Sequence, residues 1–544
     1  MKKTYKFVSC LLSLTLCFAF LFVVPIYAQE DLLSQKAQDL SECGEIELES
    51  NVIGVVLTTA SSDEILSRLI SQEAFSLEGS LVKGNKVMPL NESYDFSTMS
   101  RFAIADWAYQ NDLISEAQKI EGYCDLLENQ IFENVVCLDS FYSEIENYAN
   151  TNLISASLDE KISSVLDVQS LNSQNTRNTV HFIEINGIVI DDELNTLSDA
   201  TLYAIGEYAS SLKTMFENMG FNFPNHPQGG TDYIISLSTS TSSTVCQTQL
   251  YHELSSTTCL VSTHIYGVNN STTLSNTLRQ RIAHGMFHAI QNFYYGPTIN
   301  WFKEACADWG AWATTGLTTG INFNSFINSR RSMAENVGHG AMLFPATISQ
   351  YYGGAATIEE IYYQLYVNIH GQDESEEAFL KTAIDGALEE RGYRNVTFED
   401  VFFQMSAFLA EPAIYGFITP GLYNSFNGGE IVYYEGDDFQ EDDIRGLDRA
   451  YFSFTPDEAL LDYEIEFEIG VFGDDVDIHH YWYNDNGELI IEHLNLSSDG
   501  TVTFSHPNYD EGNPSGFVGI VIACANMNAN TRVSFYINYT VTEY

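Results

Sequence analysis

The chain has 544 residues, 45% of them hydrophobic and 13% aromatic, a composition that builds packed cores and excludes a disordered chain. Against 23 Lys and Arg stand 74 Asp and Glu, a net charge of −51 that excludes nucleic acid and anionic membrane as partners and favours solubility and cation binding. The length exceeds what one core serves, so about two to four domains are expected.

Lys2, Lys3 and Lys6 precede an apolar run to Val24 and then Pro25-Ile26-Tyr27-Ala28, the pattern of a secretory signal peptide (1–28) cut after Ala28. No later run reaches the ~18 apolar residues that span a bilayer. A secreted, extracellular protein without a membrane anchor after cleavage is therefore expected.

Residues 29–177 read as a helical N-terminal region, in EILSRLISQEAF, SRFAIADWAYQNDLISEAQKIEGYCDLLENQIF and FYSEIENYANTNLI. Such a region can serve as a pro-segment. The polar stretch SLNSQNTRNT (170–179) reads as a linker, with Arg177 as a processing position. Past the leader stand Cys43, Cys124, Cys137, Cys246, Cys259, Cys306 and Cys524. No CxxC pair exists, which argues against a thiolate zinc site. Cys124 with Cys137 and Cys246 with Cys259 are the pairs close enough in sequence to bridge, and the odd count leaves at least one thiol over. Cys306 is expected in the core.

From 178 to 432 strands and helices mix. VHFIEI, DYIISLST and STHIYGV read as strands, and a long helix ends at Gly220. A further helix starts near Ser275, carries Leu278, Ile282, Met286, Ala289, Ile290 and Phe293 at helical period, and ends at Gly296-Pro297. The next has Asn300 as N-cap and Gly316 just past its end. Four helical stretches fill 339–410, the last opened by the capping pattern Thr397-Phe398-Glu399-Asp400. After an acidic loop, EGDDFQEDD, alternating segments over 445–544 and an Asn484-Asp485-Asn486-Gly487 turn predict an all-β sandwich. The fold class is thus α+β multidomain: a helical N-terminal region, a mixed α+β domain and a β-sandwich.

The chemistry lies in IAHGMFHAIQNFYYGPTINWFKEACADWGAW. His284 and His288 are four apart and share one helix face; Glu304 and Asp308 repeat that spacing on the next helix. Two histidines and a carboxylate form the open three-ligand set of catalytic zinc. Asp308 can accept the other N–H of a ligand imidazole and fix its tautomer. In HExxH the residue after the first histidine is the glutamate that serves as general base, and here it is Gly285.

AHGMFHAIQ followed by Trp301-Phe302-Lys303-Glu304-Ala305-Cys306-Ala307-Asp308-Trp309 resembles the aHExxHaxQ…W-x-x-E-x-x-A-x-W pattern of secreted bacterial gluzincins, metallopeptidases of the thermolysin-like clan. The resemblance covers residues 180–410. It implies a zincin-like α+β domain that binds one zinc ion through His284, His288 and Glu304, with Asp308 behind them. It also implies an oxyanion-stabilising donor downstream, for which His339, Tyr351 and Tyr352 are the candidates. The catalytic glutamate has no counterpart. A positioned base contributes roughly 10²–10⁴ in rate, so peptidase activity is expected to be weak or lost. On this reading Gly285 leaves a space that a Gly285→Glu side chain, or a small carboxylate such as formate, would fill to raise activity.

Outside that stretch, His479 and His480 fall on opposite strand faces. Asp474, Asp475 and Asp477 are a candidate calcium-binding loop, with a solvated acidic loop as the plainer reading. Three functions stay open: a zinc-binding metallopeptidase relative impaired in catalysis, an active extracellular endopeptidase using another base, and a non-catalytic binding or adhesion protein. The corresponding partners are an extracellular polypeptide or a surface ligand.

Overall fold

A computed structural model of the protein describes three short strands within 74–89 and residues 100–543 with breaks. The breaks of six or more residues are 175–180, 224–232, 251–260, 293–298, 369–374, 416–428, 457–462 and 507–516. Outside the described residues lie the signal peptide, Cys43, Cys259, most of the helix expected over 64–75, Arg177, Phe293, Gly296-Pro297 and the turn residues 485–487. No described helix is long and apolar enough to cross a membrane. The chain divides into two compact units, one of Met1–Glu133 with Asn147–Val165, the other of Asn134–Glu146 with Leu166–Tyr544.

In the first unit β1 (Ala74–Phe75), β2 (Ser80–Lys83) and β3 (Lys86–Pro89) form an antiparallel sheet. Ala74 and Phe75 thus leave the helix expected there. The helical run expected from Ser100 is broken into α1 (Arg101–Gln110) and α2 (Glu116–Glu128). The break has a local cause: Ser115 and Gln118 make a reciprocal capping box that starts a new helix. α3 (Asp139–Thr151) and α4 (Ala156–Gln174) follow, the first unit taking α3 from Asn147 and α4 as far as Val165. α4 runs into the stretch expected as a linker. Lys161 on α4 bridges Glu121 (3.1 Å) and Asp125 (2.7 Å) of α2.

Besides residues 134–146, the second unit holds β4 (Phe182–Ile185), β5 (Ile188–Asp192), α5 (Asp199–Asn218), β6 (Tyr233–Leu237), β7 (Val245–Leu250) and β8 (Val261–Tyr266). They make one mixed sheet of order β4-β5-β6-β8-β7, parallel across β5-β6-β8 and antiparallel at both edges. Next come α6 (Asn276–Ile290), α7 (Asn300–Thr315), α8 (Phe323–Asn328), α9 (Leu343–Tyr351), α10 (Ala355–Asn368), α11 (Glu376–Glu390) and α12 (Phe398–Phe408). Ser275 caps α6 and a Thr397–Asp400 box caps α12, as their sequences predict. Asn300 instead is the first residue of α7, behind an Ile299 that makes no side-chain cap. Gly316 closes α7 in the left-handed conformation, at φ 68°.

Among the described residues nine strands follow: β9 (Gly429–Tyr433), β10 (Gly436–Arg445), β11 (Asp448–Pro456), β12 (Tyr463–Phe472), β13 (Val476–Tyr483), β14 (Leu489–Leu494), β15 (Thr501–His506), β16 (Val518–Cys524) and β17 (Arg532–Glu543). The acidic segment expected as a loop is β10, paired with β17 along its length. Sheets β10-β17-β12-β15 and β14-β13-β16-β11-β9 enclose one apolar core. Alternation explains it: Ile465, Phe467 and Ile469 of β12 point inward, with Glu464, Glu466 and Glu468 between them. The outer side of the five-stranded sheet joins the helical core through Tyr451, Tyr481 and Val521. There the Tyr451 hydroxyl donates to Ser406 O at 2.8 Å. Helices and sheets are segregated, an α+β organisation.

Candidate metal centre

α6 and α7 carry the site. Leu278, Ile282, Met286, Ala289 and Ile290 bury the apolar face of α6, and Trp301, Ala305 and Trp309 do the same for α7. The two helices pack closely because Gly310 has no side chain: a Cβ there would meet the Phe287 ring at 2.4 Å. That crossing brings Glu304 to the histidine face of α6.

His284 Nε2 and His288 Nε2 lie 2.9 Å apart, and each is 3.3 Å from Glu304 Oε2. All three side chains are buried. A tetrahedral zinc with bonds of about 2.0–2.1 Å would set its N and O ligands roughly 3.3 Å apart. The triangle has that size.

The outer hydrogen bonds fix the direction of the lone pairs. His284 Nδ1 donates to Asp308 Oδ1 at 2.7 Å. His288 Nδ1 donates to Gln291 Oε1 at 2.7 Å, and the Gln291 amide donates to Lys303 O and the Tyr362 hydroxyl. With both Nδ1 atoms donating, both Nε2 atoms are acceptors facing each other and a carboxylate oxygen. Three converging acceptors repel unless a cation or a proton lies among them. Burial alone would lower the His284 pKa, yet the Asp308 carboxylate more than offsets it and holds the imidazole well above its ordinary value. For His288 burial also lowers, and Glu304 and Cys137 together outweigh it, carrying the pKa to about 9. Burial raises the Glu304 pKa, and the two histidines override it, leaving the carboxyl well below the usual range. The group favours positive charge, and its buried donors could hold a metal ion.

A fourth donor joins that sequence reasoning missed. Cys137 is buried with the three, and the four ligand atoms lie within 4.8 Å of one another. A lone thiol, 147 residues before His284 (284 − 137) and outside any CxxC pair, gives no spacing signal. Two residues on, Asp139 Oδ1 accepts the Thr248 N–H at 2.8 Å. Its Oδ2 is buried without a hydrogen bond, 4.0 Å from His288 Nε2. Burial raises the Asp139 pKa.

The space expected beside Gly285 is filled. A Cβ there would stand 2.5 Å from the Thr263 methyl and 3.4 Å from Thr248 Oγ1. Both threonine hydroxyls donate to the Gly285 carbonyl, at 3.1 Å from Thr248 and 3.2 Å from Thr263. Glycine lets α6 lie directly on β7 and β8. The expectation that Gly285→Glu would find room is corrected.

Of the candidate oxyanion donors, Tyr351 and Tyr352 find their partners outside the group. The Tyr352 hydroxyl donates to Gln404 Oε1, and the Tyr351 ring lies against Phe408. His339 opens a 3-10 turn at His339–Met342. His480 is stacked between Trp482 and Phe504, while His479 meets His493 across β14. Asp477 pairs with His493 and Asp475 accepts from Asn526, so among the described residues the three aspartates form no joint cation site. Cys124, Cys137, Cys246, Cys306 and Cys524 are all free thiols. Neither disulfide suggested by sequence proximity forms a described bridge.

No protein-family description matches the chain, and no curated protein matches it. Among solved structures it is similar to PliG of Aeromonas hydrophila, a periplasmic lysozyme inhibitor of g-type lysozyme. That match has 12% identity over 21% of this chain and 94% of that chain, with a TM-score of 0.16. The PliG of Salmonella Typhimurium matches at 10% identity over 21% and 96%, with a TM-score of 0.15. At those scores the likeness carries no argument about the site.

Proposed function

We propose that this is a secreted protein of metallopeptidase architecture that holds one zinc ion through His284, His288 and Glu304 and does not hydrolyse peptides. The metal half rests on three buried acceptors converging at zinc-ligand spacing. The non-catalytic half rests on one contact, the Thr263 methyl where a side chain at Gly285 would begin. Zinc of this kind supplies a water acidified toward a pKa of ~7, and the residue needed to take and return that water's proton is missing from α6.

One observation favours a second reading, an active endopeptidase. Asp139 Oδ2 is a buried carboxylate oxygen near His288 and could serve as the base. Two measurements on the purified full chain separate the readings. Elemental analysis should find about one zinc per chain, lost in His288→Ala; equal zinc in both proteins would remove the site. The zinc-loaded chain should not cleave an unstructured polypeptide. Turnover abolished by Asp139→Asn, with zinc retained, would establish the second reading instead.

A further inference from the structure

Residues 136–138 meet the edge of the sheet through an isolated β-bridge between Cys137 and Cys246. β7 is an edge strand, and edge N–H and C=O groups invite a partner. Here Leu138 N donates to Cys246 O at 3.0 Å and Cys246 N donates to Val136 O at 3.2 Å, so the segment runs parallel to β7. The Arg281 guanidinium of α6 donates to Val135 O at 3.4 Å and to Thr244 O at 3.2 Å, tying the segment and β7 to the same side chain. Asp139 is held in turn by Thr248 N. Each of these bonds is a modest contribution, about 0.5–1.5 kcal/mol net. They nonetheless set Cys137 among the ligand atoms of His284, His288 and Glu304.

We infer that Cys137 is the fourth metal ligand, so that the ion closes its own coordination sphere with protein and clamps residues 135–139 onto the edge of the sheet. The inference rests on the metal reading above and adds to it the thiolate and its mechanical role. The bond formed is metal to Cys137 Sγ; the bond broken is S–H, whose proton leaves to solvent as the metal enters. A four-ligand protein set leaves no position for water, the mark of a structural centre. Linkage makes the effect reciprocal: docking of the segment strengthens metal binding, and removal of the metal loosens the segment. What it covers is a β edge able to pair with an extended chain.

The test uses the full chain loaded with cobalt(II) in place of zinc, with and without chelator. A thiolate-to-cobalt charge-transfer absorption is expected in the natural protein. Cys137→Ser should lose it while keeping the tetrahedral cobalt bands, and Cys246→Ser, which removes the neighbouring thiol, should retain it. Hydrogen exchange at the amides of Leu138 and Cys246 should rise at least about tenfold when the natural protein is chelated. This comparison needs no variant. Cobalt bound without the charge-transfer absorption, or exchange unmoved by chelation, overturns the clamp and leaves a three-ligand site. No cobalt bound at all overturns the metal reading itself.

Discussion

Gly285 shows how one position can carry two messages of different legibility. That the base of the HExxH pattern is missing can be read from the letters; why glycine stands there cannot, because the cause is a threonine 22 residues earlier on β8. Thr263 is buried and engaged by Tyr233 and Thr248, so it cannot turn aside. Gly285→Ala is therefore expected to destabilise the protein by about 1–3 kcal/mol, the usual cost of overpacking. Thr263→Ser, which removes the clashing methyl, should recover most of that loss in the double variant. Thermal unfolding of the four proteins checks it; additive losses would mean the two side chains do not meet. Gly285→Glu should lose stability and gain no peptidase activity. Asp308 makes the opposite case, since its one-turn spacing from Glu304 is enough to predict a bond to one of the imidazoles, which the structure places at His284. Asp308→Ala should keep the fold and weaken metal binding about 10–100-fold. Gln291→Leu should act the same way through His288, and chelator competition measures both.

Among elements, those with local signals were legible and those defined by partners were not. The Ser275 cap and the Thr397–Asp400 box are written within four residues, and both helices begin where they direct. Thr397→Ala should cost about 0.5–2 kcal/mol, seen as a lower melting temperature. β10 has no alternation strong enough to announce a strand; its pairing is imposed by β17. β7 is likewise a strand because β8 lies beside it. β13 carries a pH signature. His480 sits between Trp482 and Phe504, and burial holds its pKa at about 4, below the ordinary 6.5. Folding thus favours the neutral ring. Its contribution is whole above pH 6.5 and declines as pH falls toward 4, because the unfolded chain takes up a proton that the folded chain refuses. His480→Phe should lessen the fall in urea stability between pH 7 and pH 5. An identical fall in both proteins would place the proton uptake elsewhere.

For the whole molecule, the formal charge of −51 acts on every element at once. Like charges repel more in the compact chain than in the extended one, and about 0.15 M salt screens them beyond roughly 8 Å. The melting temperature should rise with sodium chloride over that range, equally in the natural protein and in His288→Ala. A rise confined to the natural protein would point to the metal centre rather than to the surface. The α+β class and the segregation of strands toward the C-terminal end were legible in the changing periodicity of the chain. The membership of residues 134–146 in the second unit was not, because it depends on edge pairing and on the reach of Arg281.

That pairing also sets an order of events. Val136 and Leu138 are made more than a hundred residues before the Cys246 that receives them, as the 110-residue separation of Val136 from Cys246 records. During synthesis from the N-terminus the early segment must wait until β7 and β8 have paired and α6 has settled on them. Contacts of such long sequence separation form slowly. Completion of the four-donor group is therefore expected to wait until the sheet that receives residues 136–138 has assembled.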